Sequence, residues 1–311
     1  MQEVKVSVII CTHNPDRRII REVLGALALQ TLERQYWELI VVDNNSGIPV
    51  RELINIDWHP LAQIIHEARP GLVFARIAGF KACTTGSLMV FIDDDNVADP
   101  MYLELAMAFS GLNGQVGCFG GRSVPEFETP PPDWLNETGI SLGCQEFGDE
   151  TYVSDYAAAD FRLIRYPEKA PIGTGMVMLY TAFDAYLKTV NPQKLNLGRK
   201  GNALDSGEDN DIVMSVIKNG YEIAYYPKLL ILHKIPARRY SFDYIKEMAF
   251  KSNLSWMRVL TMHGVNPHRR IATWTVTLRQ LKAWFVLSAW KSKLNYIKWR
   301  GACGAFEGLT K

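Results

Sequence analysis

The residues best suited to chemistry form one run of carboxylates, Asp93, Asp94 and Asp95, which directly follows the apolar stretch LMVFI. Three adjacent carboxylates at the end of a buried strand repel one another, and a bound cation relieves that repulsion. Hard ions such as Mg²⁺ or Mn²⁺ prefer oxygen ligands and commonly share them with substrate phosphates. Asp93 and Asp95 would face the same way on an extended segment, so we expect both to contact one metal ion. An acidic turn that caps the next helix is the alternative.

A second acidic run, EDND at residues 208–211, follows Gly207 and opens a predicted helix. Acidic side chains at a helix N-terminus complement the helix dipole, which accounts for acids in general at this place. A carboxylate here is also a candidate general base that takes the proton from an acceptor hydroxyl. Glu208 and Asp209 are therefore the candidate catalytic residues.

Four further residues are candidates for ligand binding. His233 ends the strand-like LLILH, and a neutral imidazole can complete a carboxylate metal site, which favours Mn²⁺ over Mg²⁺. Asp43 follows WELIVV and could accept a hydrogen bond from a base or ribose, although an Asx-turn in DNNSG explains it equally well. Arg76 and Lys81 lie on one predicted helix and could meet a diphosphate, or could belong to a solvated helix face.

These residues need a sheet to position them, and the first half of the chain predicts one. Nearly continuous apolar runs at residues 5–11, 37–42 and 88–92 are typical of buried parallel strands, with a shorter strand at 62–66. Helical patterns at 72–83 and 102–109 alternate with them, and Asn14 is the expected N-cap of an earlier helix. The order predicts an α/β, doubly wound, mainly parallel sheet, which binds ligands at the carboxyl ends of its strands.

The second half is less regular. Residues 125–171 are rich in Pro, Gly and aromatic residues and predict short strands over the site. A helix follows from residue 208 and ends at Gly220, with strands at 223–226 and 229–232 and helices from 242 onward.

Charge is divided unevenly along the 311 residues. Residues 265–311 carry nine Lys and Arg and one acid, whereas residues 1–264 carry 25 basic and 32 acidic residues. The basic segment interleaves Trp and Tyr with its cations, which favours an interfacial helix on anionic lipid, and we expect no nucleic acid partner. A helix packed on the body with a solvated basic face is the alternative.

Other sequence features bear on location. The five cysteines are scattered without a CxxC pair, which indicates reduced thiols rather than a zinc site or disulfides. We find neither a signal-peptide pattern nor ~18 consecutive apolar residues. We therefore expect a cytoplasmic protein, with a peripheral position on the inner face of the cytoplasmic membrane as the alternative.

With these residues in view, the chain resembles the family 2 glycosyltransferases, which have the GT-A fold. The resemblance covers roughly residues 4–240 and rests on ordered segments: VSVIICTHNPDR, VVDNNS, PGLVFARIAGFKACTTGSLMVFIDDDN, PIGTGMVM, GEDNDIVMSVIKNGYEIAYYP and LLILH. Each segment alone is weak evidence for the family, but the order and spacing of the segments together make the assignment specific. The chain departs from the family pattern at two places that bear on the identity of the donor and the acceptor. Ile77 stands where many relatives have Asn, and Met178, Leu179 and Tyr180 stand where many relatives have a basic pair.

The resemblance implies an inverting transfer of a sugar from a nucleoside diphosphate to an acceptor hydroxyl, with Mn²⁺ or Mg²⁺. Thr12, Asn14 and Asp43 would contact the nucleoside, and Asp93 would lie near the ribose or the metal. Asp95 would bind the metal through the donor diphosphate, His233 would be a further ligand, and Asp209 would be the base. Arg76, Lys81 and Asp94 join the expected donor site. UDP is the first donor expected, and the acceptor is a saccharide, a lipid-linked saccharide or a protein.

Three domain segments follow from the same resemblance. Residues 1–124 would form the nucleotide-sugar half and 125–240 the acceptor half of one catalytic domain, with 241–311 as a helical basic extension. A sugar-1-phosphate nucleotidylyltransferase is one alternative, but it needs a Gly-rich phosphate loop, and THNPDR after the first strand supplies no glycine. A non-catalytic module that binds membrane or nucleic acid through the basic segment is the other.

Overall fold

The computed structural model describes residues 4–154, 166–189 and 207–310, which form a mixed sheet with helices on both faces. The strands are β1 (Val6–Thr12), β2 (Trp37–Asp43), β3 (Ala62–His66), β4 (Leu88–Asp93), β5 (Asn96–Ala98), β6 (Val116–Phe127), β7 (Tyr152–Val153), β8 (Val177–Leu179) and β9 (Glu222–Ile235). The helices are α1 (Arg17–Ala28), α2 (Leu72–Ala82), α3 (Tyr102–Leu112), α4 (Tyr180–Thr189), α5 (Glu208–Lys218), α6 (Phe242–His263), α7 (Val276–Val286) and α8 (Lys293–Gly308).

The first half of the sheet is parallel, as its apolar runs predict. Strand β1 lies between β2 and β4, and the register places Thr12 opposite Asp43 and Cys11 opposite Asp93. Helices α1 and α3 cover one face, and α2, α4 and α5 cover the other. Because the three strands end at one edge, their terminal polar residues meet there.

The second half mixes directions. Strand β8 pairs antiparallel with β4 and β6, while β6 and β9 run parallel. The two strands predicted at 223–226 and 229–232 are one strand, β9, which passes through Pro227 where its register with β6 shifts. At this shift the Leu229 carbonyl oxygen would lie 2.1 Å from a Cβ at position 121, so Gly121 permits the close approach.

The start of α1 also differs from the prediction. Asn14 is not the N-cap, because the Asp16 side chain accepts the Arg18 and Ile19 amides. Asn14 instead adopts a positive φ of 53° and its side-chain oxygen accepts the Gly47 amide. The bond ties the loop after β1 to the loop after β2.

The C-terminal helices pack unequally on the rest of the protein. Helices α6 and α8 share a core with Leu135, Leu142 and Ile235. His263 Nε2, at the end of α6, lies 2.7 Å from Asp211 Oδ1 on α5, so α6 braces the helix that carries Glu208 and Asp209. Within the described ranges, none of the helices combines the length and apolar character needed to cross a membrane.

Candidate active site

A cavity of about 260 Å³ opens at the carboxyl ends of β1 and β4. Most of the predicted site residues line it, although they come from distant parts of the chain. They are Thr12, Arg76, Asp93, Asp94, Asp95, Glu208, Asp209 and His233. The cavity therefore brings both acidic runs to one place.

The first acidic run does not extend as a strand. Strand β4 ends at Asp93, and Asp94 and Asp95 form a turn into β5. Thr12 Oγ1 donates a hydrogen bond to Asp94. The expectation that alternate residues on an extended segment would aim Asp93 and Asp95 at one ion is therefore wrong in its geometry. Withdrawal from water and the Asp95 charge raise the pKa of Asp93 to about 6 and that of Asp94 to about 7.

Asp95 faces His233 and a residue that the sequence did not single out, Arg239. Arg239 Nη1 lies 2.8 Å from Asp95 Oδ2 and 3.1 Å from His233 Nε2, and the imidazole lies 3.3 Å from the same carboxylate oxygen. A guanidinium nitrogen thus bridges the two candidate metal ligands. Among residues 4–154, 166–189 and 207–310, no three His, Cys, Asp or Glu side chains converge as a metal site, so Asp93 does not complete a trio with Asp95 and His233.

His233 is buried under Gly143, whose added Cβ would lie 3.0 Å from the imidazole. Burial alone would lower the pKa of His233, but the Asp95 carboxylate outweighs it and raises the pKa to about 9. The second ring nitrogen, Nδ1, lies 3.7 Å from the Cys144 sulfur. The ring is therefore held from both sides.

The second acidic run opens α5 at the opposite wall. Arg76 Nη1 donates to Asp209 Oδ1 at 2.7 Å, and the Gly173 amide donates to Asp209 Oδ2 at 3.0 Å. The Asp209 side chain stays 36% exposed, whereas Arg76 is almost wholly buried. Two donors thus fix the orientation of this carboxylate while it still faces the cavity.

Glu208 is the buried member of the pair. Its Oε1 lies 3.2 Å from Arg76 Nη1, and burial raises its pKa to about 7 although Arg76 opposes the shift. Arg76 was predicted to meet a diphosphate. The structure places it instead between the two carboxylates of α5, where its charge is already paired.

Three predicted nucleotide-sugar residues lie outside the cavity lining. Asp43 accepts the Ser46 and Val50 amides at 3.0 Å each, the Asx-turn alternative, and these bonds lower its pKa against the effect of burial. Asn14 is exposed and bonded to the neighbouring loop. Lys81 is exposed in the last turn of α2, about 14 Å along the helix from Leu72 at the cavity.

The further lining residues, which were not among the predicted site residues, include His13, Asn44, Gly173 and Arg239. His13 and Asn44 follow strand ends, and the His13 ring contacts the Asn44 carbonyl oxygen at 2.9 Å. The pair Arg238 and Arg239 shortly after His233 was a signal for a cation near the acidic run. Gly173 carried a signal only as part of PIGTG.

A family model described as Glycosyl transferase family 2 matches residues 7–187, which is more than half of the chain. The chain belongs to this family. A relative in Haloferax volcanii, a glucosyl-dolichyl phosphate glucuronosyltransferase, is 23% identical over 252 residues, which are 79% of this chain and 74% of the relative. This family 2 chain is therefore a glycosyltransferase.

Solved structures agree on the fold. S. aureus TarS 1–349 in complex with UDP-GlcNAc aligns with a TM-score of 0.53 at 14% identity, over 97% of this chain and 90% of that one. The mannosyltransferase PcManGT from Pyrobaculum calidifontis, in complex with GDP-Man and Mn²⁺, aligns with a TM-score of 0.57 at 16% identity, over 97% and 73%. This family 2 chain thus has the predicted GT-A fold, with a helical C-terminal region.

Proposed function

We propose that this glycosyltransferase moves a sugar from a nucleoside diphosphate to an acceptor hydroxyl with inversion, and that Asp209 is the general base. One observation carries the proposal: the Asp209 carboxylate is oriented by Arg76 and the Gly173 amide and still faces the cavity that holds Asp93, Asp94 and Asp95. A base must be fixed within hydrogen-bond reach of the proton it takes. The donor then binds at the acidic turn on the other wall of the cavity.

The proposed step is a single displacement at the anomeric carbon. The acceptor oxygen forms the new bond to that carbon as the bond to the diphosphate oxygen breaks, and the acceptor proton passes to Asp209. The electron pair of the broken bond leaves with the nucleoside diphosphate. Attack from the face opposite the leaving group inverts the anomeric configuration.

Asp95 and His233 would hold a hard divalent ion at the acidic turn once Arg239 leaves its place between them and the His233 imidazole loses its proton. Asp95 and His233 offer one carboxylate and one imidazole, and Mg²⁺ or Mn²⁺ is often held by one or two protein groups together with substrate phosphates. Burial and the neighbouring carboxylate charges raise the pKa values of Asp93 and Asp94, and an added positive charge would favour their ionised forms. When bound there, such an ion offsets the charge that develops on the departing diphosphate.

We propose that the nucleoside lies along the ends of β1 and β2. Thr12 lines the cavity, and the loops that carry Asn14 and Asp43 are tied together beside it. UDP is the first donor nucleotide to test and GDP the second, because the similar structures hold UDP-GlcNAc and GDP-Man. The acceptor is a saccharide, a lipid-linked saccharide or a protein, and the name of the Haloferax volcanii relative favours the lipid-linked class.

Thermal-shift measurements with nucleotide sugars, each with and without Mn²⁺, test the donor. A ligand that binds only the folded state raises the melting temperature. We expect one nucleotide sugar to raise it strongly and only with the ion. NMR of the transfer product should then show the opposite anomeric configuration to the donor, and a retained configuration would contradict the single displacement.

A further inference from the structure

Helix α7 presents an apolar face to the outside of the protein. Leu278, Leu281 and Phe285 are spaced by three and four residues, which places them on one side of the helix. Leu278 and Phe285 are each 61% exposed, and the exposed Trp274 precedes them by one turn. We call these four residues the α7 face. A contiguous apolar patch of this kind marks an interaction site more often than ordinary surface.

The opposite side of α7 is anchored, so the exposure is a fixed feature of the fold. Trp299 Nε1 on α8 donates to the Gln280 carbonyl oxygen at 3.0 Å, and the rings of Trp284 and Trp299 meet edge to face at 4.8 Å. Helix α8 is itself buried against the body at Ile297 and Cys303. By contrast, all eleven residues of α7, which lie inside the described range 207–310, are at least partly exposed.

Exposed cations lie on α7 itself and on either side of it in the chain. Arg279 and Lys282 lie on α7 beside its apolar residues, and further exposed cations flank the helix in the chain: Arg269, Arg270, Lys291 and Lys293. A second copy of the same surface would bring these charges together, which disfavours self-association. Nucleic acid phosphates could pair with the cations, but they would also contact the apolar leucine side chains, which is unfavourable. An anionic bilayer suits both the apolar side chains and the cations, because acyl chains contact the apolar side chains and lipid phosphates pair with the cations.

We propose that the α7 face docks on the surface of an anionic lipid bilayer. Leu278, Leu281 and Phe285 enter the boundary between headgroups and acyl chains, and the long stems of Arg279 and Lys282 reach back to the lipid phosphates. Trp274 lies at headgroup depth, where tryptophan is favoured. This interaction goes beyond the transfer reaction and does not depend on it.

Vesicle flotation with the full chain tests the docking. Wild type should bind phosphatidylcholine vesicles that contain phosphatidylglycerol, should bind pure phosphatidylcholine far less, and should be released by salt. Leu281→Glu combined with Phe285→Glu should weaken partitioning by at least about tenfold, because each apolar side chain that would enter the bilayer is replaced by a charge. Arg279→Gln and Lys282→Gln should each weaken it about fivefold. The matched control is Leu112→Glu on α3, where Leu112 is 86% exposed, and it should bind like wild type.

Each variant should keep the wild-type melting temperature, because the substituted side chains are exposed. Equal binding by wild type and by the Leu281→Glu, Phe285→Glu variant would overturn the proposal, as would equal loss with Leu112→Glu. A wild-type dimer that the double substitution dissociates, without vesicle binding, would assign the face to a second copy and overturn it as well. The change in melting temperature that a nucleotide sugar causes should be measured in the same variants. Loss of docking should leave that change unchanged, so a failure of the docking proposal can be told from a failure of the proposed donor binding.

Discussion

Asp209 and Arg76 form an ion pair of 2.7 Å that joins the N-terminus of α5 to the middle of α2 across 133 residues of chain. The guanidinium is buried, while the carboxylate remains open to the cavity on its other side. A candidate base oriented by a fixed partner is an arrangement that acid–base chemistry commonly uses. The pair therefore links the stability of the fold to the position of the candidate base.

Arg76→Met should destabilise the chain by about 3–5 kcal/mol, because it leaves Glu208 and Asp209 without their buried counter-charge. Urea unfolding at neutral pH measures the loss. Lys81→Met on the same helix is the control, since Lys81 is exposed and its removal should change the free energy of unfolding by no more than about 0.5 kcal/mol. Equal effects of the two substitutions would show that Arg76 does not stabilise the fold as the counter-charge of Glu208 and Asp209.

Gly173→Ala should misplace the candidate base. An added Cβ would lie 2.5 Å from Asp209 Oδ2 and 2.8 Å from Arg76 Nη2, so the carboxylate must move. Because a displacement of about 1 Å can cost about a hundredfold in rate, we expect kcat to fall by that order while nucleotide affinity is kept. Gly114→Ala, where an added Cβ meets nothing within 4 Å, should keep both values. An unchanged kcat in Gly173→Ala would contradict the assigned contact.

Glu208 should make stability depend on pH. Burial raises its pKa from 4.5 to about 7, so between these values the folded chain keeps a proton that the unfolded chain has released. The free energy of unfolding therefore falls as the pH rises through this window, by about 3 kcal/mol in total. Glu208→Gln cannot lose that proton.

Urea unfolding at about pH 5 and about pH 8 checks this dependence. The advantage of Glu208→Gln over wild type should grow with pH, while the exposed-site control Glu52→Gln should track wild type at both values. A constant difference between Glu208→Gln and wild type across the range would show that Glu208 ionises normally in the folded protein.

Asp95→Asn should weaken the metal-dependent part of donor binding. Asp95 is the carboxylate nearest to His233, so its loss leaves the candidate ion without its charged protein ligand. Calorimetric titration of UDP with and without Mn²⁺ measures the effect. The exposed Asp57→Asn should retain the full Mn²⁺ dependence. If Asp95→Asn retains it too, Asp95 does not hold the ion.

The strand ends of the parallel half could be predicted because buried parallel strands are nearly continuous apolar runs that stop at polar residues. Parallel pairing then aligns those ends, as in the pairs Thr12 with Asp43 and Cys11 with Asp93. The acidic turn was predicted to lie at the cavity for this reason. Its internal geometry was not, because Asp94 and Asp95 turn back toward β5 instead of continuing the strand.

Contacts between distant segments could not be derived from spacing. Arg239 meets Asp95 across 144 residues, and Arg76 meets Asp209 across 133. Such pairs depend on how α2, α5 and the segment after β9 pack, and local periodicity carries no information about that. For this reason Arg76 was expected to bind a diphosphate, whereas in the structure it pairs with the carboxylates of Glu208 and Asp209.

If Asp209 takes the acceptor proton, Asp209→Asn should slow transfer without weakening donor binding, which requires transfer rate and donor affinity to be measured on the same samples. The amide keeps the shape of the side chain but cannot act as a base, so we expect the rate to fall by about a thousandfold while nucleotide-sugar affinity stays within about twofold. The half-buried Asp184, which pairs with Lys188 on the surface of α4, is the control, and Asp184→Asn should match wild type in both. Transfer at the wild-type rate by Asp209→Asn would show that Asp209 is not the base.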